Sequence, residues 1–198
     1  MLSADAIRER YLAAKEELGP AVTIVAATKY VPLEDMAALA EAGIEVVGEN
    51  RAKDLAAKHA EYGDAFRWHF IGHLQSNKAG LVNGICELVH SLDSESAARR
   101  LTVPVLVEVN LSGEPTKAGV APDDLAAFLA LAGDVRGLMT MPPATADPEE
   151  SRPYFRRLRE LAELHGLPEL SMGTSQDFRI AGEEGATFVR LGVALLMP

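Results

Sequence analysis

The stretch TIVAATKYVPLEDMAALAEAGIEVVGEN, residues 23–50, decides how the rest of the chain reads. It opens on TIVAAT (23–28), apolar or small at nearly every position, and closes on a second apolar run, IEVVGEN (44–50). Between them PLEDMAALAEAG (32–43) has helical periodicity, acidic residues in its first turn and Gly43 after its last. Strand, helix and strand at this spacing form a βαβ unit, which needs parallel strands and a right-handed crossover. Both runs are apolar enough to be covered on two faces.

The pattern recurs to the end of the chain. Further strand-like runs are WHFIGH (68–73), ELVHSL (87–92), VPVLVEVNL (103–111), VRGLMTM (135–141), PELSMG (168–173) and TFVRLG (187–192). Helix-like segments lie between them, among them ESAARRL, APDDLAAFLALAG with Gly133 and SRPYFRRLRELAELHG with Gly166. Eight such units predict an α/β fold of the (β/α)8 barrel type, with an open doubly wound sheet as the alternative. The 198 residues are few for a barrel, where ~250 is typical, so the loops must be tight. No linker, low-complexity tract or second domain is visible, and residues 1–198 read as a single domain.

Composition narrows the function. The net charge of −10, spread along the chain, argues against nucleic acid as the main partner. A small anionic ligand needs only a local site. The lone Cys86 can form no internal disulfide, which fits a reducing compartment. The N-terminal MLSADAIRERYLAAKEEL is charged, with no apolar signal core. No run reaches the ~18 apolar residues of a membrane span. A cytoplasmic protein is expected.

In parallel α/β folds, ligands bind where the strands end. The polar residues there are Thr28-Lys29, Glu49-Asn50-Arg51, His73, His90-Ser91 with Asp93, Asn110, Thr140, Ser171 to Ser175, and Arg190. Lys29 has two readings: a solvated side chain at the rim, or a partly desolvated amine that attacks an aldehyde to give a Schiff base. Pyridoxal phosphate (PLP) is the usual aldehyde held so. It also needs a phosphate cradle and a partner for its pyridine nitrogen. SMGTSQDFRIAGEEG (171–185) offers small residues and hydroxyls before a helix-like start, suited to an anion; a plain helix cap by Ser175 or Asp177 explains it as well. Arg190 lies within an apolar strand, on one face with Phe188 and Gly192. It either faces a ligand or pairs with a carboxylate such as Glu49 or Glu108. His73 is read as structural ahead of catalytic. No metal-ligand spacing, G-x-G-x-x-G or P-loop is present.

Nine stretches carry a family resemblance in order: VAATK, GENR, WHFIGHLQSNK, HSLDS, VNLSGEPTKAG, GLMTMPP, PYFRRLREL, LSMGTSQDF and GATFVRLG. Together they make the chain resemble the pyridoxal phosphate homeostasis protein family. The resemblance implies a barrel like the N-terminal domain of alanine racemase, fold type III among PLP proteins. It implies that Lys29 is the PLP-binding lysine and that Ser171, Gly173, Thr174, Ser175, Gly192 and Val193 surround the phosphate. By the same resemblance Arg190 faces the pyridine nitrogen, and Asn50 and Met139 line the ring. An arginine there keeps that nitrogen unprotonated and weakens the ring as an electron sink. Two departures stand out. Thr174 replaces the methionine usual in the phosphate loop, and VALLMP replaces a sequence closer to AIFG.

The implied function is binding of PLP and balance of PLP, amino-acid and keto-acid pools, without an established catalytic activity. PLP-dependent apoenzymes are conceivable recipients, and a monomer is expected. One rival is an amino-acid racemase, which needs a base on each face of the α-carbon. Of Tyr11, Tyr30, Tyr62 and Tyr154, only Tyr30 adjoins the site in sequence, and the further domain that supplies the second base in alanine racemases is not expected here. The other rival is a PLP-free barrel that clamps a different phosphate ester.

Overall fold

The computed structural model describes residues 3–114 and 117–197. Pro115 and Thr116, within the VNLSGEPTKAG motif, lie outside them. The eight strands are β1 (Thr23–Ala27), β2 (Val46–Glu49), β3 (Arg67–Phe70), β4 (Leu88–Leu92), β5 (Val105–Glu108), β6 (Val135–Met139), β7 (Glu169–Ser171) and β8 (Phe188–Leu191). They close into a parallel barrel in sequence order. The closing pair is β1 with β8, where Val25 stands opposite Arg190. The helices are α1 (Ala4–Leu18), α2 (Met36–Glu41), α3 (Ala52–Tyr62), α4 (Ala79–Asn83), α5 (Glu95–Ala98), α6 (Leu125–Leu131), α7 (Arg152–His165), α8 (Phe178–Glu183) and α9 (Val193–Leu196).

The strands alternate between two cores. Outward residues such as Ile24, Val47, Phe70, Val107, Leu138 and Val189 join the helices in the main cluster. A smaller cluster of Leu88, Leu106 and Met139, with Phe188 against it, fills the barrel's inside. Strand β6 comes so close to β7 that a Cβ on Gly137 would stand 1.8 Å from the Glu169 carbonyl oxygen. Only glycine allows that approach.

Helix α7 shows how the outer layer is held. Phe155, Leu158 and Leu161 form its buried stripe, at helical spacing. Each buried side chain of this size contributes about 1.5–3 kcal/mol. Its other face carries Arg152, Arg156 and Arg159, all paired with the buried Glu184 just past α8. The helix ends on Gly166 in the left-handed region (φ 66), as the sequence predicts. Gly133 differs. The α6 cap is Ala132 in extended backbone, and Gly133 is absent from the positive-φ glycines.

The strands are shorter than their apolar runs. VPVLVEVNL gives Val105–Glu108 and WHFIGH gives Arg67–Phe70. Past the rim a residue loses one neighbouring strand, and Thr28, Asn50, His73, Asn110, Thr140 and Gly192 enter loops. These are the polar residues expected at strand ends.

Candidate functional site

Lys29 follows β1 by two residues and lies in a turn. What fixes it is Thr28, fully buried. The Thr28 hydroxyl donates to Glu49 Oε1 at 2.7 Å. Lys58, from α3, donates to the Thr28 carbonyl at 2.8 Å and pairs with the same Glu49 carboxylate. The Asn50 N–H donates to Glu49 Oε2 at 3.2 Å. A buried carboxylate is costly unless its lone pairs are used, and here a cation, a hydroxyl and an amide use them. This network holds the backbone on both sides of the first loop.

The Lys29 side chain is exposed, which corrects the expectation of a partly desolvated amine. The cause is the early end of β1, which leaves Lys29 beyond the rim. Its ammonium sits 4.5 Å from the centre of the Tyr30 ring, itself 72 % exposed. Beside it a cavity of about 310 Å³ is lined by Ala27, Lys29, Asp35, Gly192 and Val193 together with mostly apolar neighbours.

Arg190 points inward and is buried. Its Nη1 donates to Ser171 Oγ, and its Nη2 to the Thr140 carbonyl at 3.1 Å. Neither carboxylate weighed as its partner forms an ion pair with it among the described residues; Glu49 is committed to Lys58. Burial pushes the guanidinium pKa down to about 10, with Glu108 and Asp177 pulling the other way. Behind Ser171 lie two histidines. His90 Nδ1 is 2.7 Å from Ser171 Oγ, and His90 Nε2 is 2.9 Å from His69 Nδ1. Burial pushes the His69 pKa down to about 3. Burial, then His69 and Arg190, holds His90 well below the usual range.

The loop after β7 folds onto α8. Gly173 has φ 91, and a Cβ there would stand 2.5 Å from the Ala181 Cβ. Asp177 does not cap α8 forward. Its carboxylate turns back to accept from the Thr174 N–H at 2.7 Å and the Thr174 hydroxyl at 3.1 Å. Ser175 Oγ accepts from the N–H groups of Gly192 (3.3 Å) and Ala194 (3.0 Å), tying the loops after β7 and β8 together. Both cap residues weighed in the sequence therefore act, but on the loops. Among the described residues the N–H groups of Ser175 and Gln176 find no acceptor. Val193 is exposed at the start of α9, where an N–H has no intrahelical partner.

The remaining expected residues divide. Met139 packs with Leu88, Leu106 and Phe188 inside the barrel. Among the described residues Asn50 Oδ1 is a buried acceptor with no donor. His73 is exposed and lies 3.3 Å from Asp93 Oδ2. Asn110 organises its own loop, its side chain bonding to Ser112, Gly113, Glu114 and Lys117. Sequence reasoning missed Lys58 and His69 as part of the site and gave His90, which it placed on the fourth strand, no role. The available signal for His69 was its alternation with Trp68 and Phe70, which puts it on the inner face.

The family model for the alanine racemase N-terminal domain matches residues 2–198. The pyridoxal phosphate homeostasis protein of Aquifex aeolicus is 42% identical over 193 residues, covering 87% of this chain and 85% of that protein. The protein of the same name from Pseudomonas aeruginosa is 39% identical over 191 residues, covering 88% and 83%. Among solved structures, PipY of Synechococcus elongatus with PLP bound superposes with a TM-score of 0.86 at 34% identity, over 96% of this chain and 99% of that one. Alanine racemase of Corynebacterium glutamicum shares the fold, with a TM-score of 0.75 at 18% identity, over 98% of this chain and 61% of the racemase.

Proposed function

The chain belongs to the pyridoxal phosphate homeostasis protein family, built on the alanine racemase N-terminal domain, and from this premise we propose that it binds PLP through the Lys29 amine and helps to balance the free PLP pool. The observation that carries the reading is the pairing of chemistries on two neighbouring strands. An open amine follows β1, and a buried guanidinium without an ion-pair partner among the described residues sits on the neighbouring β8, opposite Val25 of β1. When bound, PLP supplies an aldehyde for the amine, an aromatic ring and a phosphate. The residues present fit each part. Asn50 Oδ1 is a buried acceptor awaiting a donor. Arg190 offers only N–H groups to a ring nitrogen. Ser175, Gln176 and Val193 offer backbone N–H groups to a phosphate, and Gly173 lets the loop that carries the first two pack closely on α8. Ser171 and Thr174 serve by fixing Arg190 and the loop.

A carrier fits this site better than a racemase. A guanidinium opposite the ring nitrogen disfavours its protonation, which a strong electron sink requires. The tyrosines give no second base: Tyr11 is buried on α1, Tyr62 donates to the Leu33 carbonyl at 3.0 Å, Tyr154 lies on α7, and Tyr30 carries the Lys29 ammonium on its ring. We place the protein in the cytoplasm as a monomer, with PLP-dependent apoenzymes as candidate recipients. Supporting the location, Cys86 is a buried free thiol, which suits a reducing compartment.

The test is the absorption spectrum of the purified protein with added PLP, before and after borohydride, for wild type and Lys29→Ala. A yellow wild type that borohydride bleaches, with the label on the Lys29 peptide and none on the variant, is expected. A protein that binds inorganic phosphate or phosphate esters but never colours would replace this reading with the PLP-free barrel. Steady α-proton exchange on alanine at enzymatic rates would replace it with the racemase.

A further inference from the structure

We infer that His69 and His90 are positioning residues for Arg190: with Ser171 they form a hydrogen-bond chain of fixed direction through the barrel, which locks the guanidinium at one mouth and ends at a separate cavity at the other. The cofactor reading enters only in what Arg190 faces; the direction of the chain stands without it.

The direction follows from proton counting. A guanidinium can only donate. Ser171 Oγ therefore accepts from Arg190 Nη1 and has one proton left to place. Its other partner among the described residues is His90 Nδ1, at 2.7 Å. That nitrogen must be the acceptor, so the His90 proton is on Nε2. From there it donates across 2.9 Å to His69 Nδ1, and the His69 proton is on Nε2 as well. The reverse direction would strand the buried Ser171 hydroxyl proton without an acceptor. Each ring is then neutral and in one defined tautomer, and each link donates away from Arg190.

The chain joins opposite ends of the fold. Arg190 and Ser171 stand near the carboxyl ends of β8 and β7. His69 is 1 % exposed and lines a cavity of about 180 Å³ at the other mouth, with Arg67, Glu87, Arg136 and Glu169. Glu169 Oε2 there is buried without a donor among the described residues. The consequence is at Arg190. Because His90 Nδ1 accepts from the Ser171 hydroxyl, the serine oxygen keeps a lone pair aimed at Nη1, while the Thr140 carbonyl holds Nη2. With both terminal nitrogens anchored, the plane of the guanidinium is set before any ligand arrives.

Long-range ¹⁵N–¹H NMR on the labelled, ligand-free protein reads the tautomers directly. Both rings are expected as neutral Nε2–H at pH 7, with His90 losing its single tautomer in Ser171→Ala. A His90 proton on Nδ1, or a cationic ring at pH 7, overturns the inference. PLP titration then tests the positioning role. His90→Leu should bind PLP about tenfold more weakly, with a shifted absorption band. His90→Gln, whose amide still accepts and donates, should fall between it and wild type. Wild-type affinity and spectrum in a folded His90→Leu would overturn the role. If His90→Leu fails to fold, His69→Gln takes its place under the same criterion. A wild type with the predicted tautomers that does not take up PLP rejects the cofactor reading and keeps the chain.

Discussion

Glu49 carries more of the rim than its position in the sequence suggests. It accepts from Thr28, Lys58 and Asn50, so one carboxylate fixes the residue before Lys29 and the residue whose side chain awaits a donor. Lys58→Met leaves that carboxylate buried without its cation. Breaking one partner of a buried pair costs about 3–5 kcal/mol, and urea unfolding should show a loss of that size. The double variant Lys58→Met with Glu49→Gln should recover a large part of it, because no lone charge remains; no recovery would mean the pair is not the cause. Lys29 and Arg190 were legible because a charge in an apolar run is rare. Lys58 was not. It is one of several lysines on a polar-looking helix, and only the barrel brings α3 against the Thr28 carbonyl. Gly173 was legible as small, but its reason is tertiary. Gly173→Ala meets both a positive φ and the Ala181 Cβ, and should cost roughly 1–3 kcal/mol, measured in the same way.

At the scale of elements, the loop after β7 is the part most open to tuning. Its anchor, α8, is held to α7 by three arginines on Glu184. The loop itself is held by Asp177, whose carboxylate occupies the Thr174 N–H that a bound anion would want. Asp177→Asn keeps an acceptor and removes a like charge. We expect a stability cost below about 1 kcal/mol together with tighter binding of inorganic phosphate and PLP, followed by titration calorimetry. Weaker binding would mean that the charge organises the loop more than it repels the ligand. The eight apolar runs gave all eight strands, since doubly covered strands must be apolar throughout. Their ends were overread. The apolar pattern persists past the rim, as in Val109 beyond β5, while the ladder stops where the barrel does. The caps at Ser175 and Asp177 were visible by residue type, but which groups they capped depends on two loops meeting in space.

At the scale of the whole molecule, the two buried histidines set how the fold responds to acid. An unfolded histidine titrates near ~6.5, whereas His69 in the fold is held to about 3 and His90 well below its ordinary range. Above ~6.5 both are neutral in either state and cost nothing. Below it the unfolded chain binds protons that the folded chain refuses, so stability falls as pH falls, by about 1.4 kcal/mol per pH unit for each ring. The charged groups about the chain modulate this. Arg190, Arg67 and Arg136 oppose a second cation throughout. Burial raises the pKa of Glu108 and of Glu169. Those two take up protons more readily when folded and so return some stability, most strongly as pH approaches the ordinary carboxylate range. Between pH 7 and 5 the histidines should dominate, with a loss of about 4 kcal/mol, read from urea unfolding at constant ionic strength. His69→Gln should be less stable at pH 7 but show a shallower fall toward pH 5, because one titrating ring is gone. A wild-type profile flat from pH 7 to 5 would mean that a ring is already charged inside the barrel. Arg190 would then share its serine with a cation, and the neutral interior on which the fixed direction depends would not exist.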